Sequence, residues 1–287
     1  MDDLQRVKDA SEPLDRVRLA TEALAEYQNA IAELGKIRRD AVDYLRSQGM
    51  TLSDIADKAG ISRARLSQLS GAPRKAPERA LFAGAGTTAT IAVDTKQEGG
   101  SGRPVVHQEH TVAIEVLTRT AQRVGLSVGE VEYIVPPGMI DLNRDGLIVV
   151  CGPRRSPIIA QMLAADERYG FEKDSKGWFL VDKAAGREYH SPEDSGKPGD
   201  FAYLGRLPRP DGKGHWLYMA GIHAPGGQGA AMYLEQQLAD LYQDVRGGRW
   251  SCLVQCEWDP ETRHVERVDL LAPIHHVGRP RADQRRK

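Results

Sequence analysis

The sequence predicts an α+α/β protein, a helical N-terminal domain followed by a three-layer α/β domain. Three observations carry this prediction. Apolar residues recur at steps of three and four from Leu14 to Leu69, the period of amphipathic helices. From Leu81 onward, short apolar runs alternate with helical stretches, as strands and helices do when they take turns along a chain. Between the two, GAPRKAPE at 71–78 breaks the helical period with two prolines and reads as a linker. The resulting boundaries are a helical domain at 1–72, a linker at 73–83, an α/β domain at 84–274 and a basic tail at 275–287. The final GRPRADQRRK is expected to be disordered.

The N-terminal domain opens with one long amphipathic helix, carrying Leu14, Val17, Ala20, Leu24, Tyr27, Ile31 and Leu34 between charged residues. Such a stripe is too long for a small module to cover, and the same helix of a second subunit is the simplest partner, so a homodimer is expected. A second helix follows, with Ile37, Ala41, Val42 and Leu45 on one face. In TLSDIADKAGISRARLSQLSG, at 51–71, Thr51 can cap a helix carrying Leu52, Ile55 and Ala56. Gly60 supplies the turn, Ile61 plugs the angle, and Ser62 caps a further helix. On that helix Leu69 with Ala64 or Leu66 can face inward, leaving Arg63, Arg65, Ser67 and Gln68 outward for base edges or phosphates.

Through LRSQGMTLSDIADKAGISRARLSQL the chain resembles the helix-turn-helix modules of bacterial regulators, in the style of sigma-factor region 4 or repressor-type domains. The charge agrees with that resemblance. The whole chain of 287 residues has a net charge of −1, which excludes a protein that coats nucleic acid uniformly. Between Lys36 and Arg79, however, basic residues outnumber acidic ones two to one. In this reading Arg63, Arg65 and Gln68 read bases, while Thr51, Lys58, Ser62 and Arg74 hold phosphates of double-stranded DNA.

Cys151, Cys252 and Cys256 are the three cysteines, in a chain with no long apolar run. They point to a reducing cytoplasm, no disulfide framework and no membrane span. The four-residue spacing of Cys252 and Cys256 falls short of a zinc signature, so they are expected to be small core residues and no metal is expected. No cofactor is expected either.

In the α/β domain, strands are expected at 87–94, 131–135, 147–151, 178–182, 201–204, 216–221, 253–257 and 265–271, with helices at 111–124, 157–165 and 230–242. The layering is expected to be Rossmann-like. Two strand-turn-helix junctions share one grammar. In LIVVCGPRRSPIIAQML, Gly152 allows the turn and Pro157 suits the first helical position, with Pro153, Arg154, Arg155 and Ser156 between them. The start of that helix beside two arginines favours an anion. In WLYMAGIHAPGGQGAAMYL, Gly226, Gly227 and Gly229 open a helix after the strand ending at Gly221, with His223 in the turn. Ligands of open α/β sheets collect at strand carboxyl ends, so residues 152–156 and 221–229 are the expected ligand site.

Neither loop carries a dinucleotide or Walker fingerprint. Cys151, Ser156, Asp200, His223 and Glu235 are the catalytic candidates, but nothing in their spacing brings them together. A loop with Arg206 and Arg209 between prolines could close over an anion, or serve as a hairpin connection. Through CGPRRSP, GWFLVD, FAYLGRLPRPDG and LVQCEWDPETR the chain is also similar to a domain of unassigned function found behind helix-turn-helix modules in actinobacterial proteins. That resemblance implies an architecture and no ligand. The expected function is a DNA-binding transcriptional regulator whose α/β domain senses a small, nucleotide-like or phosphate-bearing ligand. The alternative is a nucleotide- or nucleoside-processing enzyme with a helix-turn-helix targeting module.

Overall fold

The structure, a computed structural model, describes residues 3–63, 66, 76–84, 86–99 and 102–277. It divides into two compact units, Met1–Arg74 and Lys75–Lys287. The first unit contains α1 (Asp3–Asp9), α2 (Pro13–Ser47) and α3 (Leu52–Ala59). Pro13 begins α2, where its missing N–H is no loss. The two helices expected on either side of Gly35 are one continuous α2, since one interior glycine costs only about 1 kcal/mol against 35 residues of helix.

Thr51 caps α3 as expected. Its hydroxyl accepts from the Asp54 N–H at 3.2 Å, and the Asp54 carboxylate accepts from the Thr51 N–H at 3.1 Å. Gly60 ends the helix in the left-handed conformation at φ 67°. Val42, Ile55, Ala56 and Leu66 are buried together, with Leu45, Met50, Leu52 and Ile61 around them.

The second unit contains thirteen strands and four α-helices among the described residues. They run β1 (Thr88–Asp94), a small hairpin of β2 (Lys96–Gln97) and β3 (Pro104–Val105), α4 (Gln108–Arg123), β4 (Ser127–Val128), β5 (Glu132–Ile134) and β6 (Leu147–Val150). Next come α5 (Pro157–Leu163) and a separate antiparallel sheet of β7 (Tyr169–Lys173), β8 (Trp178–Asp182) and β9 (Arg187–His190). The chain closes with β10 (Gly199–Pro208), β11 (His215–Gly221), α6 (Ala224–Gln236), α7 (Leu238–Val245), β12 (Arg249–Trp258) and β13 (Val265–Val277).

Eight strands form the main sheet in the order β13-β12-β10-β11-β6-β1-β4, with β5 also paired to β1. The sheet is mixed: β11, β6, β1, β4 and β5 are parallel, whereas β10, β12 and β13 continue it antiparallel. Alternate residues serve opposite faces. Ile91, Val93, Ile148, Val150, Leu217 and Met219 pack in one core with residues of α4, α6 and α7. Ala92, Val149, Trp216 and Tyr218 pack in the other with α5 and the small sheet.

Three expectations are corrected here. Residues 77–83 are not a linker, because a short 3-10 helix (Pro77–Leu81) feeds Leu81, Phe82 and Ala83 into the main core at 0–1% exposure. Strand β13 runs to Val277, past the expected tail boundary, because it pairs with β12 as far as Arg249. The helix expected at 230–242 begins at Ala224, so Gly226, Gly227 and Gly229 lie inside α6, and it breaks before α7. Glycine weakens a helix, but here the sheet leaves no room for anything larger. A Cβ on Gly229 would sit 2.5 Å from Cys256 Cβ on β12, and one on Gly221 would sit 2.7 Å from Gly226 Cα.

Gly229→Ala is therefore expected to destabilise the protein by about 1–3 kcal/mol, as overpacking does, and to lower its Tm. A melting midpoint equal to wild type would refute the close-approach account of this helix.

Candidate functional site

A cleft of about 430 Å³ opens at the carboxyl ends of β1, β6 and β11. Its position follows from topology. From β1 the chain leaves to α4 on one face of the sheet, while from β6 it leaves to α5 on the other, so the two strands part and a crevice remains between their ends. Asp94 ends β1, and His107, Glu109 and His110 enter from the start of α4. Cys151, Gly152, Arg154 and Arg155 come from the turn after β6, and Gly221, His223 and Gly227 from the β11–α6 junction. Glu193, Asp194 and Arg263 arrive from two distant turns.

Asp94 and His110 are the buried heart of the site, each 6% exposed. Their nearest atoms, Asp94 Oδ1 and His110 Nδ1, lie 3.3 Å apart, and neither has a hydrogen-bond partner among the described residues. The other Asp94 oxygen lies 3.6 Å from Arg155 Nε. His107 meets the His110 ring edge to face at 5.4 Å, and burial, then His110 and Lys96, lower its pKa. Across the cleft, His223 Nε2 is hydrogen-bonded to Asp194 Oδ1 at 2.8 Å. Arg263 is held by Glu193 at 3.3 Å and Glu109 at 3.7 Å, with its guanidinium over the Trp258 ring.

Asp200 supports the cleft from beneath. One oxygen of its buried carboxylate accepts from the N–H groups of His223 at 2.8 Å and Gly226 at 3.0 Å. A helix start is a natural anion site, and in α6 the protein's own carboxylate occupies it. Burial pushes the Asp200 pKa up to about 6, despite these hydrogen bonds and His223.

The two loops singled out in the sequence do line one cleft, through Gly152, Arg154, Arg155, Gly221, His223 and Gly227. Pro153, Ser156, Gly226 and Gly229 do not. Pro153 is buried in a 3-10 turn, Ser156 donates to the Gly138 carbonyl at 2.5 Å and caps α5, and the two glycines face β10 and β12. Among the catalytic candidates, Glu235 sits at the far end of α6, paired with Arg119 at 2.8 Å. Cys151 is buried, and burial followed by Asp94 raises its thiol well above the usual range, which leaves it protonated. Arg206 and Arg209 lie toward the opposite end of β10. There Arg206 donates to the Gly247 carbonyl and Arg209 pairs with Asp211.

Sequence reading missed Asp94, His107, Glu109, His110, Glu193, Asp194 and Arg263. Asp94 and the His-x-x-His of residues 107–110 carried a signal, a carboxylate at a strand end followed by two imidazoles one helical turn apart. The others carried none. Among the described residues no three His, Cys, Asp or Glu side chains gather closely enough to hold a metal ion, and no helix is long and apolar enough to cross a membrane. Comparison with family models, with curated proteins and with solved structures returns no match.

The Asp200 shift has a defined sign. Its folded pKa lies above the usual carboxyl value of 3.8, so its stabilising contribution is complete below that value and is lost as pH rises through about 6. Asp200→Asn keeps an acceptor for both N–H groups and removes the charge. Between pH 4 and 7 the variant should lose less stability than wild type by roughly 2–3 kcal/mol, measured by urea unfolding at each pH. Parallel profiles would contradict a buried, proton-hungry Asp200.

Proposed function

We propose that the protein is a sequence-specific DNA-binding transcriptional regulator whose α/β domain senses a small phosphate-bearing, nucleotide-like ligand. The observation that carries the sensing half is the pair Arg154 and Arg155 on the turn after β6, at the strand ends where α/β sheets bind ligands. Arg154 makes no ion pair with any described residue, and guanidinium groups match phosphate oxygens bidentately. The carboxylates and imidazoles around them suit the hydroxyl and amine edges of a nucleoside.

The DNA-binding half is supported by the first unit. The capping box at Thr51, the left-handed Gly60 and the burial of Ile55, Ala56 and Leu66 against Val42 are what a helix-turn-helix core requires. Lys58, Ser62 and Arg63 are exposed, as phosphate or base contacts must be. Arg65, Gln68 and Arg74 lie outside the described residues. A homodimer is supported by α2, which leaves Leu14, Leu34 and Ile37 at 81%, 64% and 57% exposure along a helix about 50 Å long. Ligand binding would change DNA affinity only to the extent that the ligand prefers one arrangement of the dimer.

The sensing half is tested by native mass spectrometry of the full chain, followed by calorimetry with nucleotides. A retained phosphate compound, and affinity at least tenfold weaker in Arg155→Ala, are expected. Failure to bind any nucleotide or inorganic phosphate would defeat this half. For the DNA half, Arg65→Ala should cost about 1–3 kcal/mol on a duplex selected by the protein from random sequence, while binding to random DNA falls much less. Equal losses on both duplexes, or affinity insensitive to salt, would defeat base reading.

A further inference from the structure

We propose that the cleft hydrolyses phosphodiesters without a metal, with His110 as general base and His223 as general acid. This rests on the reading of the cleft as a phosphate site and adds chemistry to it. The observation is a pair of imidazoles from different elements lining one cleft, each backed by a carboxylate. Asp94 stands 3.3 Å behind His110 Nδ1, and Asp194 binds His223 Nε2 at 2.8 Å. Asp194 is hydrogen-bonded to one ring nitrogen of His223, and Asp94 stands nearest one ring nitrogen of His110 without a hydrogen bond. The other nitrogens, His223 Nδ1 and His110 Nε2, are therefore the ones assigned to a ligand. His110 Nε2 lies beside Gly227, where an added Cβ would come within 3.9 Å of it and 3.2 Å of Val150 Cγ1, and both His110 and Gly227 line the cleft.

The chemistry balances with water alone. His110 Nε2 takes a proton from water as its oxygen bonds to phosphorus. The bond from phosphorus to the leaving oxygen breaks, and the imidazolium of His223 protonates that oxygen. The products are a phosphomonoester and an alcohol, and proton exchange with solvent restores both rings. Arg154 and Arg155 offset the charge on the non-bridging oxygens.

A diester fits better than a monoester for two reasons. Attack of water on a diester gains from a base, whereas a monoester dianion reacts through a loose transition state that gains little from one. The cleft also sets Asp94, Glu109, Glu193 and Asp194 against Arg154, Arg155 and Arg263, a balance that tolerates a monoanion better than a dianion.

The test uses the full chain in excess EDTA with bis(p-nitrophenyl) phosphate, 2′,3′-cyclic and 3′,5′-cyclic mononucleotides and linear dinucleotides. Expected are turnover of at least one diester and at least tenfold slower reaction with p-nitrophenyl phosphate. His110→Asn and His223→Gln, which keep a donor toward Asp94 and Asp194, should each lower kcat about 100-fold or more, with KM within threefold, on the nucleotide diesters, whose alkoxide leaving groups need the acid. Should His110→Asn not fold, Asp194→Asn, at an exposed position, should still lower kcat about tenfold. A diester that binds and is not cleaved, or nucleotide-diester turnover that survives His223→Gln or Asp194→Asn unchanged, overturns the proposal and leaves the sensor standing. Binding of mononucleotides but no diester does the same, and binding of no phosphate compound overturns both.

Discussion

The contact on which the α/β unit depends is the approach of the first turns of α6 to the sheet. A Cβ at Gly221, Gly226 or Gly229 would collide with neighbouring atoms, and the Asp200 carboxylate reaches in to accept two N–H groups. Burying a carboxylate is costly, and its raised pKa is the sign of that cost. What is gained is position. The helix start is fixed against β10 and β11, and the backbone of His223 is fixed with it.

From this anchor the cleft takes its shape. Parallel strands β1, β6 and β11 end side by side, and their continuations diverge to opposite faces, so their carboxyl ends are left uncovered. The antiparallel half of the sheet has a different part. Strand β10 carries Asp200 at one end and hands the chain to β11 through a hairpin at the other, while the turn between β12 and β13 delivers Arg263 to the cleft's rim. The mixed sheet thus lets residues more than 160 positions apart in the chain, Asp94 and Arg263 among them, meet in one site.

That arrangement explains what the sequence could and could not convey. The junctions at 152–155 and 221–223 were legible because glycine and proline punctuate strand-to-helix turns, and strand ends are where ligands gather. The glycines of α6 were read as opening a helix whose body was expected only from Ala230, because helix propensity speaks against them. The propensity was overridden by packing against Cys256 and Asp200, neighbours in space that no local pattern reveals. Asp94 closed a strand that was recognised, yet nothing in TTATIAVD says that His110 will stand behind its last residue, since α4 begins three positions before the period suggested. Glu193, Asp194 and Arg263 lie in polar turns indistinguishable from any surface loop. In the first unit the cap at Thr51 and the turn at Gly60 were legible because both are local hydrogen-bonding devices, whereas the continuity of α2 through Gly35 was not.

The two histidine pairs differ in a way that bears on their roles. Asp94 and His110 are buried together and share their surroundings with Arg155, so both the orientation of the ring and the direction of its free nitrogen are set by the core. The side chains of His223 and Asp194 are 33% and 40% exposed, at the cleft's rim, where water reaches the imidazole. A base that must align one water benefits from the first environment, and an acid that must be recharged benefits from the second. Because Asp200 fixes the backbone of His223 while Asp194 fixes its ring, the rim residue is held at two points without being buried, and precision of placement does not require exclusion of water.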